Sequence, residues 1–343
     1  MKTAEFDYDL PPELIAQTPI EPRDAARLLV VHRRTGALEH RTFADLVDYL
    51  RPPDLLVCND SRVIPARLHG CKTSGGRVEV LLLTQRDVHT WEALVRGKGL
   101  RPGARIVIED ATGAPAITAT VLAATAEGAR LLAFDRELAP LLPHVGEVPL
   151  PPYIHEPLAD PERYQTVYAR VAGSVAAPTA GLHFTPQLID RLQALGIGFA
   201  FVTLHVGLGT FRPVQTEQIE DHRMHLEWGE LPPSVAEQIA ATHAAGGRCV
   251  AVGTTAVRVL ETAAQRTPGT PLAPYAGWTD LFIRPGFRFQ VVDALITNFH
   301  LPRSTLLMLV SAFAGHELIQ RAYAEAIRLR YRFFSFGDAM LIL

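Results

Sequence analysis

The sequence predicts an α/β protein: a layered mixed-sheet domain with an inserted small antiparallel β-barrel domain. Three observations lead to this fold class. Strands and helices alternate after residue 150, a pattern typical of helices packed on a sheet. Short β-rich runs between turn residues fill residues 66–149, as in small barrels and sandwiches. The apolar run at 54–59 is fit for a strand buried on both faces, and it has no partner nearby in the sequence.

These observations divide the 343 residues into two predicted domains. Residues 1–65 and 150–343 form the α/β catalytic domain, and residues 66–149 form the inserted barrel. A chain of this length has room for two domains that each bury a core. The strand at 54–59 is then expected to join a sheet built mainly from the C-terminal part of the chain.

The first sixty residues contain signals for two helices, one hairpin and one strand. Gly36 supplies the positive φ that the hairpin turn needs. Thr42 can cap the helix that follows the hairpin. The predicted elements are a helix at 12–17, strands at 27–32 and 37–43, a helix at 43–50 and the strand at 54–59.

The remaining elements follow from the same kinds of pattern. Barrel strands are predicted at 78–83, 91–95, 105–109, 116–123 and 129–134. Downstream, strands are predicted at 198–204, 249–252, 280–283, 294–298 and 339–343, and helices at 234–245, 256–265, 304–314 and 316–330. The most apolar segment, 304–314, is much shorter than the ~20 residues that span a bilayer, so we expect a buried helix and no membrane partner.

The composition excludes several classes of protein. Thirty-three Lys and Arg against 36 Asp and Glu leave a net charge of −3, so any contact with nucleic acid must come from local patches. Three cysteines without a CxxC pair indicate neither a disulfide framework nor a cysteine zinc site. The N-terminal residues lack a signal-peptide pattern. We therefore expect a cytoplasmic protein, and we also expect a monomer.

Polar residues follow the predicted buried strand directly. Asp60, Arg62 and Arg67 come after residues 54–59. Ligands of open α/β sheets bind beyond the carboxyl ends of strands, so these side chains are placed to meet a substrate. A solvated loop leading into the barrel is the alternative.

Four histidines and two acidic residues lie between residues 181 and 227. They are His183, His205, Asp221, His222, His225 and Glu227. HxxH at 222 and 225 could offer metal ligands together with His205 or Glu227, but zinc sites on helices usually use i, i+4 spacing. Imidazoles also serve proton transfer near neutral pH, or simply form hydrogen bonds in the scaffold. We predict no metal site.

The segment VAVGTTAVRVLE combines an apolar strand, a glycine and two threonines at a helix start. Free N–H groups and the helix dipole at Gly253, Thr254 and Thr255 would favour an anion such as phosphate or carboxylate. In the alternative, one threonine only caps the helix. GLGTF at 207–211 is not a dinucleotide fingerprint, because it lacks the third glycine and the following helix.

Arginine supplies almost all of the positive charge, since Lys2, Lys72 and Lys98 are the only lysines. The guanidinium group binds phosphate through paired hydrogen bonds, which suits contacts with a nucleic-acid backbone. The candidate face near the C-terminus consists of Arg321, Arg328, Arg330 and Arg332. A solvated terminal helix is the alternative.

Nine longer segments identify a family. They are NDSRVIPARL (59–68), PLPPYI (149–154), YQTVYA (164–169), SVAAPTAGLHF (174–184), FVTLHVGLGTF (201–211), IEDHRMHLE (219–227), VAVGTTAVR (250–258), VDALITNFHLPRSTLLMLVSAFAG (292–315) and YRFFSFGDAML (331–341). In this order they resemble the S-adenosylmethionine:tRNA ribosyltransferase-isomerases of queuosine biosynthesis. The resemblance spans nearly the whole chain, although residues 70–147 match only in texture.

The resemblance implies an enzyme that moves the ribosyl group of S-adenosylmethionine rather than its methyl group. The implied acceptor is the aminomethyl group of 7-aminomethyl-7-deazaguanine at the tRNA wobble position, and the products are epoxyqueuosine in tRNA, adenine and methionine. S-adenosylmethionine is then a consumed substrate, and no cofactor is implied. Such a reaction needs a base for the carbon beside the sulfonium and help for the departing adenine.

We assign side chains within these motifs to three roles. Proton transfer is placed on His205, Asp221, His222 and His225. Substrate binding is placed on Asp60, Arg62, His183, Gly253, Thr254, Thr255, Asn298 and His300, and tRNA binding on Arg67, Arg328 and Arg330. Two other functions stay open: a noncatalytic RNA-binding protein, which adenine release would exclude, and a metal-dependent hydrolase, which metal analysis would test.

Overall fold

A computed structural model describes residues 1–125, 128–207, 213–266, 268 and 272–343. These residues form two units. The first contains Met1–Arg62, Pro151–Val171 and Ala177–Leu343, and the second contains Val63–Leu150 and Ala172–Ala176. A large mixed sheet with helices builds the first unit, and a closed antiparallel barrel builds the second. The predicted fold class is confirmed.

Strands and helices are numbered in chain order. The strands are β1 (Arg27–Val31), β2 (Leu38–Thr42), β3 (Leu55–Asn59), β4 (Ser61–Val63), β5 (Arg67–Lys72), β6 (Arg77–Gln85), β7 (Thr90–Arg96), β8 (Arg105–Glu109), β9 (Pro115–Ala124), β10 (Arg130–Phe134), β11 (Gly146–Glu147), β12 (Val171–Ser174), β13 (Gly198–Leu204), β14 (Glu227–Leu231), β15 (Cys249–Val252), β16 (Tyr275–Thr279), β17 (Ala294–Asn298) and β18 (Ala339–Ile342). The α-helices are α1 (Leu142–Val145), α2 (Pro186–Ala194), α3 (Pro233–Ala244), α4 (Thr254–Arg266), α5 (Thr305–Ala314) and α6 (His316–Arg328).

The large sheet has nine strands in the order β16-β14-β13-β3-β15-β17-β18-β1-β2. Its centre, β13-β3-β15-β17, is parallel, and Val57 of β3 pairs with Ala200 on one side and Ala251 on the other. All five residues of β3 are buried. The prediction that the N-terminal apolar strand joins the large sheet is therefore confirmed.

Side chains of this sheet alternate between two apolar clusters, because successive residues of a strand point to opposite faces. Leu55 and Val57 belong to the cluster that also contains residues of α3, α4, α5 and α6. Leu56 and Cys58 belong to the cluster that contains Leu188 and Leu192 of α2. Both faces of β3 are thus covered by helices, which explains why its sequence is apolar throughout. No described helix is long and apolar enough to cross a membrane.

The second unit is a barrel in which β5-β6-β7-β10-β9-β8 are successive neighbours and β8 pairs back onto β5. β11 adds to the other end of β5. Burial alternates along β6, where Val78, Val80 and Leu82 are buried. The closure requires Gly70, since a Cβ there would lie 2.2 Å from the Val107 carbonyl oxygen.

Most predicted elements occur with ends that differ by at most two residues, but three predictions are wrong. Only the 3-10 turn Pro12–Leu14 occupies the first predicted helix, because Ile15 forms a β-bridge with Phe333. The second is also a 3-10 helix, Phe43–Asp48. The strand predicted at 280–283 lies instead at Tyr275–Thr279, where it pairs with β14. Three elements, α2, β5 and β14, were not predicted.

Candidate active site

Four parallel strands end together at one edge of the large sheet. β13, β3, β15 and β17 are adjacent and parallel, so their carboxyl ends coincide. β18 runs antiparallel to β17, which brings the residues before β18 to the same edge. His205, Asp60, Gly253 and Asn298 lie at these four carboxyl ends. This is the edge at which open α/β sheets bind ligands.

Asn59 shapes the first part of this edge. Its Nδ2 donates to the Leu204 carbonyl at 3.0 Å, and its Oδ1 accepts from the Leu204 N–H at 3.0 Å. The side chain therefore extends the pairing of β3 with β13 by one step. The Ser61 N–H also donates to Asn59 Oδ1 at 3.0 Å, which fixes the turn that presents Asp60.

Asp60 is a buried carboxylate with its oxygens occupied. It is 2% exposed. Thr203 Oγ1 donates to its Oδ1 at 2.7 Å, and Arg170 donates to its Oδ2 from Nη2 at 2.8 Å. Hydrogen bonds and an opposite charge are what a buried carboxylate requires. The side chain is held rigidly at the carboxyl end of the central strand, as expected for a residue of a substrate site rather than of a solvated loop.

His205 follows β13 and is largely buried. Its N–H donates to the Trp228 carbonyl at 2.9 Å, and its ring stacks on the Trp228 ring at 5.5 Å. Burial lowers the pKa of His205, and the negative charge of Asp60 opposes this shift. Nδ1 is buried without a hydrogen-bond partner among the described residues. A neutral imidazole of this kind can accept a proton, and Asp60 would stabilise the cation that results.

Asp221, His222 and His225 lie in a different setting. Asp221 ends the 3-10 turn Ile219–Asp221 and is exposed. His222 is half-buried with its ring edge-on to Phe282 at 5.5 Å. Burial and the nearby His225 lower the pKa of His222. In the part of the chain that is described, the Asp221 carboxylate forms no hydrogen bond to His222, so the carboxylate that acts on an imidazole is Asp60, through His205.

A buried ion pair joins three of the segments around this edge, and sequence reasoning missed it. Arg258, on α4, is 4% exposed at its side chain and pairs with Glu227, which is 6% exposed. Glu227 Oε1 also accepts from the Gly207 N–H at 2.8 Å. The signal available was the alternation of EWGEL at 227–231, which indicates a strand with Glu227 facing inward.

The helix start at Gly253 has the predicted form. Gly253 adopts φ +89°, a left-handed conformation that glycine tolerates, and its carbonyl accepts from the Val257 N–H at 3.3 Å. Thr254 and Thr255 are the first residues of α4, so neither is the cap of the helix. Thr255 Oγ1 is buried and has no partner among the described residues.

A pocket opens at this edge between the ends of β15 and β17. It contains about 570 Å³ of space outside the protein atoms, including some that is open to solvent, and this falls within the range of small-molecule sites. Residues 177–180, 253–255 and 297–301 supply most of its wall, and Val206 also lines it. The pocket therefore adjoins His205 along the chain.

Three further residues of the predicted substrate site surround this pocket. Asn298 Nδ2 lies 3.3 Å from His183 Nε2, and His300 Nε2 lies 2.7 Å from Thr297 Oγ1. Burial lowers the pKa of both His183 and His300 to about 3. Both imidazoles are therefore neutral near pH 7 and serve as hydrogen-bonding groups. Asn298 and His300 line the pocket, and His183 supports Asn298 from behind.

The predicted arginines are dispersed. Arg62 pairs with Glu162 on the first unit. Arg328 pairs with Glu325 at 2.7 Å and Arg330 lies 3.7 Å from Glu13 Oε1; both arginine side chains are about two-thirds exposed. Arg67 belongs to β5 of the second unit, where its Nε is buried without a partner among the described residues.

Two sequence features give no further site. Apart from Gly207, GLGTF lies outside the described residues. Among the residues that are described, no group of three or more His, Cys, Asp or Glu side chains is arranged to hold a metal ion. HxxH at 222 and 225 thus lacks a described third ligand.

A mixed α/β sheet with a pocket and buried titratable groups at its carboxyl edge defines an enzyme that binds a small molecule there. The model of the queuosine biosynthesis protein family matches residues 3–342, so the chain belongs to that family. S-adenosylmethionine:tRNA ribosyltransferase-isomerases of Symbiobacterium thermophilum and Moorella thermoacetica are 60% and 56% identical to it over the full length of both chains. A crystal structure of S-adenosylmethionine tRNA ribosyltransferase from Thermotoga maritima is 43% identical, covers 99% of this chain and 100% of its own, and superposes with a TM-score of 0.57. The resemblance found in the motifs is confirmed.

Proposed function

We propose that this enzyme transfers and isomerises the ribosyl group of S-adenosylmethionine onto the aminomethyl group of 7-aminomethyl-7-deazaguanine at the tRNA wobble position. The products are epoxyqueuosine in tRNA, adenine and methionine. Full-length relatives with this activity support the proposal. The structural observation that carries it is the pocket beside His205 and Asp60, because the reaction needs a small-molecule site next to a proton acceptor.

His205 is the first candidate for the base that removes a proton from the carbon beside the sulfonium. It is neutral near pH 7 because burial lowers its pKa, and a base must be unprotonated before the reaction. Asp60 is held by Thr203 and Arg170 and can stabilise the protonated imidazole. His222, whose pKa is also lowered by burial, is the second candidate, with Asp221 and His225 as its neighbours in sequence.

The substrate-binding role rests on Asp60, Arg62, His183, Gly253, Thr254, Thr255, Asn298 and His300. The tRNA role rests on Arg67, Arg328 and Arg330, whose guanidinium groups suit phosphate. Salt should weaken tRNA binding, because each phosphate contact releases counterions. The proposal includes a cytoplasmic monomer, no metal or cofactor, and catalysis in a domain of residues 1–65 and 150–343.

The experiment that tests the activity measures adenine release. Purified enzyme is given S-adenosylmethionine and tRNA that carries 7-aminomethyl-7-deazaguanine, with matched tRNA carrying unmodified guanine as the control. We expect adenine and modified tRNA in equal amounts from the first tRNA only. Equal adenine release from both tRNAs would contradict the proposed acceptor, and binding of tRNA without any release would favour the noncatalytic alternative.

His205→Gln tests the assignment of the base, since glutamine forms hydrogen bonds but does not accept a proton at neutral pH. We expect turnover at saturating substrates to fall by about 10²-fold or more while substrate affinity changes little. His222→Gln is the matched variant. If His222→Gln loses turnover and His205→Gln retains at least half, the base is His222 rather than His205.

A further inference from the structure

The pocket contains a hydrogen-bond acceptor that the protein itself leaves free. Asn298 is 3% exposed, and its Nδ2 donates to the Phe334 carbonyl at 3.0 Å. A carbonyl only accepts, so the amide nitrogen must face Phe334 and Oδ1 must face the other way. Oδ1 is buried and has no hydrogen-bond partner among the described residues. Native proteins rarely leave such an atom unsatisfied, so it indicates a donor that comes from a ligand.

A second free polar atom lines the same pocket. Thr255 Oγ1 is buried without a partner in the described part of the chain, and both Thr255 and Asn298 belong to the pocket wall. A hydroxyl can donate as well as accept, whereas Asn298 Oδ1 only accepts. The pocket thus offers one fixed acceptor and one possible donor to its ligand.

The wall of the pocket carries no formal charge. Among the described residues, no Asp, Glu, Lys or Arg side chain lines it. His300, which does line it, is neutral because burial lowers its pKa to about 3. A buried ammonium, carboxylate or sulfonium requires an opposite charge, so the methionine part of S-adenosylmethionine does not fit. Apolar residues such as Ala180, Val206 and Leu301 suit a flat uncharged ring.

We propose that this pocket binds the adenine base of S-adenosylmethionine, with Asn298 Oδ1 accepting from the exocyclic amine and Thr255 Oγ1 donating to a ring nitrogen. The inference rests on the proposed function, which makes S-adenosylmethionine the substrate. An amine beside an accepting ring nitrogen complements one acceptor and one donor. The ribose does not match as well, because its several hydroxyl groups need more polar partners than the two free atoms.

The test compares the binding of S-adenosylmethionine with that of its 6-hydrogen analogue, which lacks only the exocyclic amine, by calorimetry without tRNA. We expect the wild-type enzyme to bind the analogue about tenfold more weakly, a typical loss for one buried hydrogen bond. In Asn298→Ala, the two ligands should bind within about twofold of each other, because the partner of the amine is gone. A 6-oxo analogue should bind worst to the wild type, since it places an acceptor against Asn298 Oδ1.

Controls separate this inference from general damage and from the proposed function. Thr255→Val should weaken both S-adenosylmethionine and the 6-hydrogen analogue, and it gives a second reading if Asn298→Ala does not fold. Thr262→Val removes a buried hydroxyl of the same helix that already has a partner, Thr279 Oγ1 at 2.7 Å, and should leave the wild-type preference for the amine unchanged. Wild-type enzyme that binds S-adenosylmethionine without any preference for the amine would overturn the inference alone. Wild-type enzyme that does not bind S-adenosylmethionine would overturn the proposed function.

Discussion

Two ion pairs of the same chemistry show how differently the sheet edge and the barrel treat charge. At the edge, Arg258 and Glu227 are 4% and 6% exposed at their side chains. On the barrel, Arg86 and Glu92 are 53% and 13% exposed. Water screens the barrel pair, whereas the edge pair depends on its own geometry to offset desolvation.

The same contrast extends to other polar groups. Asn59, Asp60, His183, Asn298 and His300 are all buried in the first unit. In the described residues of the second unit, Ser174 is the single buried polar residue. Burying polar groups costs stability unless each has a partner. A region that buries many, and leaves Asn298 Oδ1 and Thr255 Oγ1 unsatisfied, is therefore organised around a ligand rather than around stability.

The largest expected effect breaks the edge pair. Arg258→Met leaves the Glu227 carboxylate buried without its cation, and this should lower the free energy of unfolding by about 3–5 kcal/mol. Urea denaturation measures the change. Glu227→Gln combined with Arg258→Met removes both charges and keeps an acceptor for the Gly207 N–H, so it should recover most of the loss. A double variant as unstable as Arg258→Met would show that burial of the unpaired charge is not the cause.

The second expected effect is a dependence of stability on pH. The folded-state pKa values of His183 and His300 are about 3, below the ordinary value of 6.5. The unfolded chain therefore binds more protons as the pH falls, and stability is lost progressively below pH 6.5. At pH 5, each histidine should lower the free energy of unfolding by about 2 kcal/mol. Denaturation between pH 7 and pH 5 measures the slope.

His300→Gln serves as the comparison for this effect, because glutamine does not titrate in this range. The variant should be less stable at pH 7, where its packing is imperfect, but its stability should fall less steeply toward pH 5 than that of the wild type. The same slope in both proteins would mean that His300 is not kept neutral by burial.

Local patterns predicted most of the fold because most elements declare themselves within a few residues. β6 to β10 of the barrel alternate, and β3 is apolar throughout. β5 was missed because Arg67, His69 and Lys72 interrupt the apolar pattern. Its place as the closing strand depends on the close approach of Gly70 to Val107. That approach joins residues distant in sequence, and no local pattern reports it.

The location of the candidate site was predictable, but its partnerships were not. The rule for parallel strands placed Asp60 and Gly253 at the carboxyl edge before any coordinates. The electrostatic partner of His205 was expected to be Asp221, the nearest acid to an imidazole in the sequence. The structure assigns Asp60 instead, because β3 and β13 are parallel neighbours although they are far apart in the chain.

The smallest expected effect concerns the barrel pair. Arg86→Ala and Glu92→Ala, alone and combined, give a double-mutant cycle whose coupling should be below about 1 kcal/mol. The reason is that Arg86 remains half exposed, so water solvates the charge whether or not Glu92 is present. Salt should reduce even this coupling, because exposed charges are screened. Unfolding of the four proteins in urea, at low and at moderate salt, measures it. A coupling as large as that of Arg258 with Glu227 would mean that exposure does not decide the strength of these pairs, and the contrast between the two regions would have to rest on their hydrogen bonds instead.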